Sequence, residues 1–379
     1  MALKPTLAAL LFSLAAIHGI VVVAVDAAAA AVPRGGSARR IPAVFAFGDS
    51  TLDAGNNNRL VTAVRADHPP YGQDFPGGAP TGRFCDGKIM SDFLVEALGI
   101  KGLLPAYHSG SEVLSDADAA TGVSFASGGS GLDDRTATNA GVATMASQIA
   151  DFSELVGRMG AGKAGEVVNK SLFLVSAGTN DMIMNYYLLP SKYTLDQYHA
   201  LLIGKLRSYI QSLYNLGARR LLVAGLPPVG CLPVQMTLAA LRQPPRPQGC
   251  IAEQNAEAEK YNAKLRKMLT KFQSTSPGAK AVYADIYTPL TDMVDHPQKY
   301  ELTAFDVAFG TSVNPGFAET GKGCCGTGLL EMGPLCTDLM PTCTTPAQFM
   351  FWDSVHPTQA TYKAVADHFL RTNMLQFDD

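Results

Sequence analysis

The chain has 379 residues, 47% of them hydrophobic and 17% charged. That is enough apolar material to bury one large core, and a single α/β domain can absorb most of it. The formal net charge is −3 and no basic stripe is visible, so nucleic-acid binding has no electrostatic support.

Residues 1–31 read as a secretory leader. Lys4 precedes an almost wholly apolar run over 5–25, and small residues suited to cleavage follow Asp26. The run is also long enough for an uncleaved membrane anchor. No later stretch reads as transmembrane, so no stable membrane span is expected once the leader is removed. Residues 40–375 are expected to form one domain, without internal repeats or low-complexity linkers.

Along that domain, short apolar runs alternate with helical patterns. Strands are predicted over 44–47, 123–126, 172–176, 221–224 and 281–284. Helices are predicted over 90–98, 145–156, 251–272 and 362–370. A further long helix opens at Thr194, which has capping-box spacing to Gln197, and stops at Gly217. Such alternation predicts a parallel sheet with helices on both faces. Ligands in these sheets bind at the carboxyl ends of the strands. Two long irregular stretches, 56–87 and 304–346, interrupt the pattern and are read as walls of a binding site.

Seven cysteines fit a secreted, disulfide-bonded chain. Six lie in the second half and leave their pairing open, and Cys85 is left over. Cys324 and Cys325 lack the histidine or Cys-x-x-Cys company of a zinc site, so no metal is expected. Asn169-Lys170-Ser171 is a glycosylation sequon.

The chemistry centres on Gly48-Asp49-Ser50-Thr51, which directly follows the first predicted strand. A serine there suits a hydrolytic nucleophile, although Gly-Asp-Ser is also good turn chemistry. A serine hydroxyl needs a base. Of seven histidines, His356 stands out, because Asp353 lies three positions before it. One turn would bring that carboxylate to a ring nitrogen and leave the other nitrogen for a serine. The competing reading makes Asp353 an N-cap of the last helix. His199 and His368 read as surface or core residues, and His68, His108 and His296 lack a distinctive carboxylate partner. Acyl transfer also needs donors for a developing oxyanion. Two strand ends offer them: Phe125-Ala126-Ser127-Gly128-Gly129-Ser130-Gly131 and Gly178-Thr179-Asn180-Asp181.

Four blocks occur in order: Phe47-Gly48-Asp49-Ser50 with Asp53 and Gly55-Asn56-Asn57-Asn58; Ser124-Phe125-Ala126-Ser127-Gly128-Gly129; Gly178-Thr179-Asn180-Asp181; and Asp353-Ser354-Val355-His356-Pro357-Thr358. Together they resemble the plant secreted branch of the GDSL esterase/lipase family. Pro70-Tyr71-Gly72, Pro80-Thr81-Gly82-Arg83-Phe84 and Leu226-Pro227-Pro228-Val229-Gly230-Cys231 extend the resemblance. It implies a flavodoxin-like three-layer α/β/α sandwich with a parallel central sheet. It implies Ser50 as nucleophile, His356 as base and Asp353 as its partner. The oxyanion hole would use the N–H groups of Ser50 and Gly129 and the amide of Asn180, with Gly128 as a substitute for Gly129. The expected activity is a secreted, cofactor-independent serine esterase acting on acyl lipids or acylated cell-wall polymers. An acyltransferase with the same triad, or a non-catalytic lipid- or glycan-binding protein, is the alternative. Thr51 stands where leucine is usual, which should cost apolar contact. Ser124 replaces a usual asparagine, which should weaken a supporting hydrogen bond.

Overall fold

The computed structural model describes residues 41–108, 114–189, 191–242, 249–300 and 316–377. The expected leader lies outside these residues, as does the stretch 304–315. In chain order the elements are β1 (Val44–Gly48), α1 (Met90–Ala97), α2 (Asp116–Ala120), α3 (Asp134–Ala140), α4 (Met145–Met159), α5 (Ala161–Val168) and β2 (Leu172–Ser176). They continue with α6 (Leu195–Asn215), β3 (Arg220–Ala224), α7 (Pro233–Arg242), α8 (Ala252–Thr275), β4 (Lys280–Ala284) and α9 (Tyr287–Asp295). β5 (Glu319–Gly323), β6 (Phe349–Phe351) and α10 (Gln359–Thr372) close the domain.

β1 to β4 form a parallel sheet in the order β1-β2-β3-β4. The strand expected over 123–126 is only partly realised, since a single parallel bridge joins Ser124 to Ala46. Its backbone still runs along the free edge of β1. Ala46 N donates to Val123 O at 3.1 Å, Phe125 N to Ala46 O at 2.7 Å, and Ser127 N to Gly48 O at 3.0 Å. Counted in chain order, the sequence of strands across the sheet is therefore second, first, third, fourth, fifth. This is the flavodoxin-like doubly wound order, whose direction reverses beside the first strand. The loop after β1 sits at that switch point.

β1, β2 and β3 are buried along their whole length, which explains their unbroken apolar runs. Phe45 and Phe47 of β1 pack on Phe152 of α4, with ring centroids 5.1 and 5.6 Å apart. Phe173 of β2 meets the same ring at 5.4 Å. α4, α6 and α8 pack side by side as one layer, and α1, α10 and α9 pack as the other. The sandwich is thus α/β/α, as the alternation predicts.

The capping box at Thr194 forms, with Gln197 N reaching the Thr194 hydroxyl at 3.3 Å and Thr194 N donating to Gln197 Oε1 at 2.9 Å. Behind it, Tyr198, Leu202, Leu206, Tyr209 and Leu213 fill the buried stripe of α6. The last helix starts earlier than expected, at Gln359, because the Thr358 side chain caps it. Asp353 is therefore not its N-cap. Three disulfides join Cys231 to Cys250, Cys324 to Cys343 and Cys325 to Cys336, and Cys85 is a buried free thiol. Among the described residues no helix is long and apolar enough to cross a membrane.

Candidate active site

The loop that carries Ser50 begins with a backbone that only glycine fits. Gly48 has φ of 138°, and a Cβ there would lie 1.8 Å from Ser176 O. Gln148 clamps the same residue from α4, accepting from Gly48 N at 2.8 Å and donating to Gly48 O at 2.9 Å. Asp49 N then donates to Ser176 O, and Leu52 N and Asp53 N both reach Asp49 O at 3.1 Å. This turn carries Ser50 over the carboxyl end of the sheet.

A hydrogen-bond chain starts at that serine. Ser50 Oγ lies 2.7 Å from His356 Nε2, and His356 Nδ1 lies 2.7 Å from Asp353 Oδ2. All three residues are buried. The other Asp353 oxygen accepts the backbone N–H groups of Val355 at 2.9 Å and His356 at 2.7 Å. One carboxylate thus shapes the turn and aims the ring. His356 O accepts from Trp352 N at 2.8 Å, which closes the turn, and the Phe84 ring lies 4.9 Å from the imidazole.

Sequence reading missed Tyr71 as a member of this chain. Its hydroxyl donates to Asp353 Oδ2 at 2.7 Å and accepts from Gly333 N at 2.7 Å. Burial, followed by the adjacent carboxylate, holds this phenol well above its ordinary value. It was visible only as part of the Pro70-Tyr71-Gly72 block.

The donor segments converge on the serine. Asp53 accepts from Gly55 N and Asn56 N on one oxygen and from Gly128 N, at 2.8 Å, on the other. Burial raises its carboxyl to about 6 against these bonds. The Gly128 N–H is therefore engaged, whereas Gly129, with φ of 81°, borders the same cavity as Ser50, Asn180 and His356. Asn180 Nδ2 donates to Ser130 O at 2.9 Å, which orients the amide and leaves its second N–H. Asp181 accepts from Leu132 N, Asp133 N and Thr136 Oγ1, tying the two strand ends together.

That cavity is about 480 Å³. Its walls include Val64 from the first irregular stretch and Met332 and Leu335 from the second, as expected of those loops. A third wall, with Ile183, Met184 and Leu188, was not foreseen. It follows Asn180 as a single wide helical segment, Asp181–Tyr186, that has no strong periodic signal.

Two other histidines do find carboxylates: His108 Nε2 lies 2.9 Å from Asp151 and His296 Nδ1 2.9 Å from Asp292. The Asp292 pair lies on one turn at the end of α9, and Asp151 reaches His108 across the fold from α4. Both pairs are solvent-exposed, unlike His356. Cys324 and Cys325 are consumed by disulfides, and the described residues contain no cluster suited to a metal ion.

The family model for GDSL-like lipases and acylhydrolases matches residues 44–369. The chain belongs to the GDSL lipase/acylhydrolase family. A GDSL esterase/lipase of Arabidopsis thaliana is 45% identical over 339 residues, spanning 87% of this chain and 89% of the relative. Another from the same plant is 41% identical over 332 residues, spanning 86% of this chain and 87% of the relative. Membership makes the chain a carboxylic ester hydrolase.

Within this GDSL protein the two unusual residues have gained partners. Thr51 Oγ1 donates to Asp49 Oδ1 at 2.8 Å and lies 3.0 Å from Ser176 Oγ. The leucine position thus carries a polar link where only lost apolar contact was expected. The Ser124 hydroxyl donates to Leu52 O at 2.6 Å, and Asn56 Nδ2 donates to Ser124 O at 2.9 Å. A supporting bond is present at that position.

Proposed function

We propose that the protein is a secreted serine esterase that works through an acyl-enzyme on Ser50. The observation that carries this reading is the unbroken chain from Ser50 Oγ through His356 to Asp353, opening on an apolar cavity.

His356 Nε2 accepts the Ser50 proton as the hydroxyl attacks the ester carbonyl. Asp353 holds the proton on Nδ1 and stabilises the imidazolium that forms. The carbonyl oxygen gathers negative charge and takes hydrogen bonds from the N–H of Ser50, the N–H of Gly129 and the Asn180 amide. As the carbon–oxygen bond breaks, His356 returns the proton to the departing alcohol. Water then enters, loses a proton to His356 and attacks the acyl-enzyme. The carboxylic acid leaves, and Ser50 recovers its proton.

The mainly apolar lining favours acyl esters, among which acyl lipids fit best and acylated cell-wall polymers second. No cofactor has a step in this scheme. Three disulfides and the apolar leader support export through an oxidising compartment.

The test is hydrolysis of p-nitrophenyl esters of graded chain length by purified protein. Turnover should be clear, and Ser50→Ala should remove it. Full activity in Ser50→Ala would reject the reading.

A further inference from the structure

The exposed apolar side chains of this protein are not scattered. Among the described residues, the exposed large hydrophobics other than Leu241 and Leu375 all fall on three segments. These are residues 61–64, 182–189 and 330–340, the same segments that wall the catalytic cavity. Val61 is fully exposed, Leu339 is 90% exposed, and Leu188, Leu189 and Leu335 each stand about half in water. Isolated exposed hydrophobics are ordinary, but a group of them around one opening marks a binding surface.

We propose that this rim docks the enzyme on a lipid surface, so that an acyl ester passes from that surface into the cavity without crossing water. This rests on the reading of Ser50 as the residue that receives the acyl group. Three observations select a lipid surface over another occupant. The rim is continuous with the cavity that takes an acyl ester. It carries little exposed charge: 61–64 and 182–189 hold no charged residue, and 330–340 hold only Glu331, which is buried, and Asp338. Such a surface suits neutral or zwitterionic lipid: its three segments hold no Lys or Arg, and Arg242 beside them donates to Tyr187 O at 3.2 Å. Finally, Tyr186, half-buried, lies among the leucines. Tyrosine is the residue type that prefers the boundary between lipid and water.

The rim is also built to keep its shape. The Cys325–Cys336 disulfide closes the base of the third segment, and Gly333 N is held by the Tyr71 hydroxyl. The lipid-facing loop is thereby connected to Asp353.

The experiment uses full-length mature protein carrying Ser50→Ala, which cannot consume lipid, and phosphatidylcholine vesicles in a sedimentation assay. Val61 and Leu339 lie outside the cavity lining, so Val61→Asp with Leu339→Asp is the probe, its fold checked by thermal melting. The Ser50→Ala protein should sediment with vesicles, and adding the two aspartates should weaken binding at least ~10-fold. In the Ser50 background, the same two aspartates should leave p-nitrophenyl acetate hydrolysis unchanged. Absence of vesicle binding, or binding that the aspartates leave intact, would overturn the proposal. So would a wild-type dimer that the aspartates dissociate, because the rim would then cover a second copy. Failure to cleave p-nitrophenyl acetate would instead sink the esterase reading, whatever the vesicles report.

Discussion

The hydroxyl of Tyr71 donates to Asp353 Oδ2 at 2.7 Å, the same oxygen that faces His356 Nδ1. The two residues are 282 positions apart. Tyr71 comes from the first irregular stretch, and Asp353 from the turn before the last helix. The first loop therefore does more than line the cavity, since it fixes the carboxylate that faces the His356 ring.

Tyr71→Phe should test that positioning role. It removes a donor to a buried charge and leaves Gly333 N without its acceptor. The kcat for a short soluble ester should fall about 10-fold while KM stays nearly unchanged, as expected for one charge-assisted hydrogen bond. A rise in KM alone would show that Tyr71 only shapes the pocket.

Asp353→Asn should be far more damaging. An amide nitrogen at the Oδ2 position would face two donors, Tyr71 and His356 Nδ1. The imidazole would then hold its proton on Nε2 and could no longer accept one from Ser50. Turnover should fall by about 10⁴-fold. Retention of a tenth of wild-type kcat would argue against the assigned tautomer.

A stability effect follows from Asp86. Burial, together with the neighbouring Asp74, raises its carboxyl to about 7, well above the value of about 3.9 in an unfolded chain. The folded protein then binds more protons than the unfolded one between about pH 4 and pH 7. Its contribution to stability is present below that window and is lost as the pH rises through it. The Tm of Asp86→Asn should therefore gain on wild type between pH 5 and pH 8. A constant difference in Tm would contradict the assignment.

Much of the site was legible because its signals are local. Asp353 and His356 sit on one turn, and Gly48 to Ser50 follow an apolar strand. The long helices were readable from their periodicity, with Thr194 and Gly217 marking one of them. Other features depend on distant chain. Nothing near Tyr71 announces Asp353, and nothing near Gly128 announces that its N–H is taken by Asp53. The cavity wall at Ile183 and Met184 belongs to a short, wide helical segment without a clean repeat, and Leu188 lies in the turn after it. Residues 123–126 read as a strand but pair too briefly to form one, because single bridges join Ser124 to Ala46 on one side and to Ala106 on the other.

The Cys325–Cys336 bridge encloses Met332 and Leu335, two residues of the cavity wall. Replacing both cysteines with alanine should cost about 2–4 kcal/mol of stability. Hydrolysis of long acyl esters should also weaken more than that of acetate esters, measured as the ratio of kcat/KM. An unchanged ratio would mean that this loop does not contact the acyl chain.

The central claim is that Ser50 carries the acyl group, and mass spectrometry of the covalent adduct tests it most directly. After incubation with a fluorophosphonate ester and proteolysis, the added mass should sit on the peptide containing Gly48-Asp49-Ser50-Thr51. It should be absent from Ser50→Ala. An adduct on any other residue, or labelling of Ser50→Ala equal to wild type, would contradict the account.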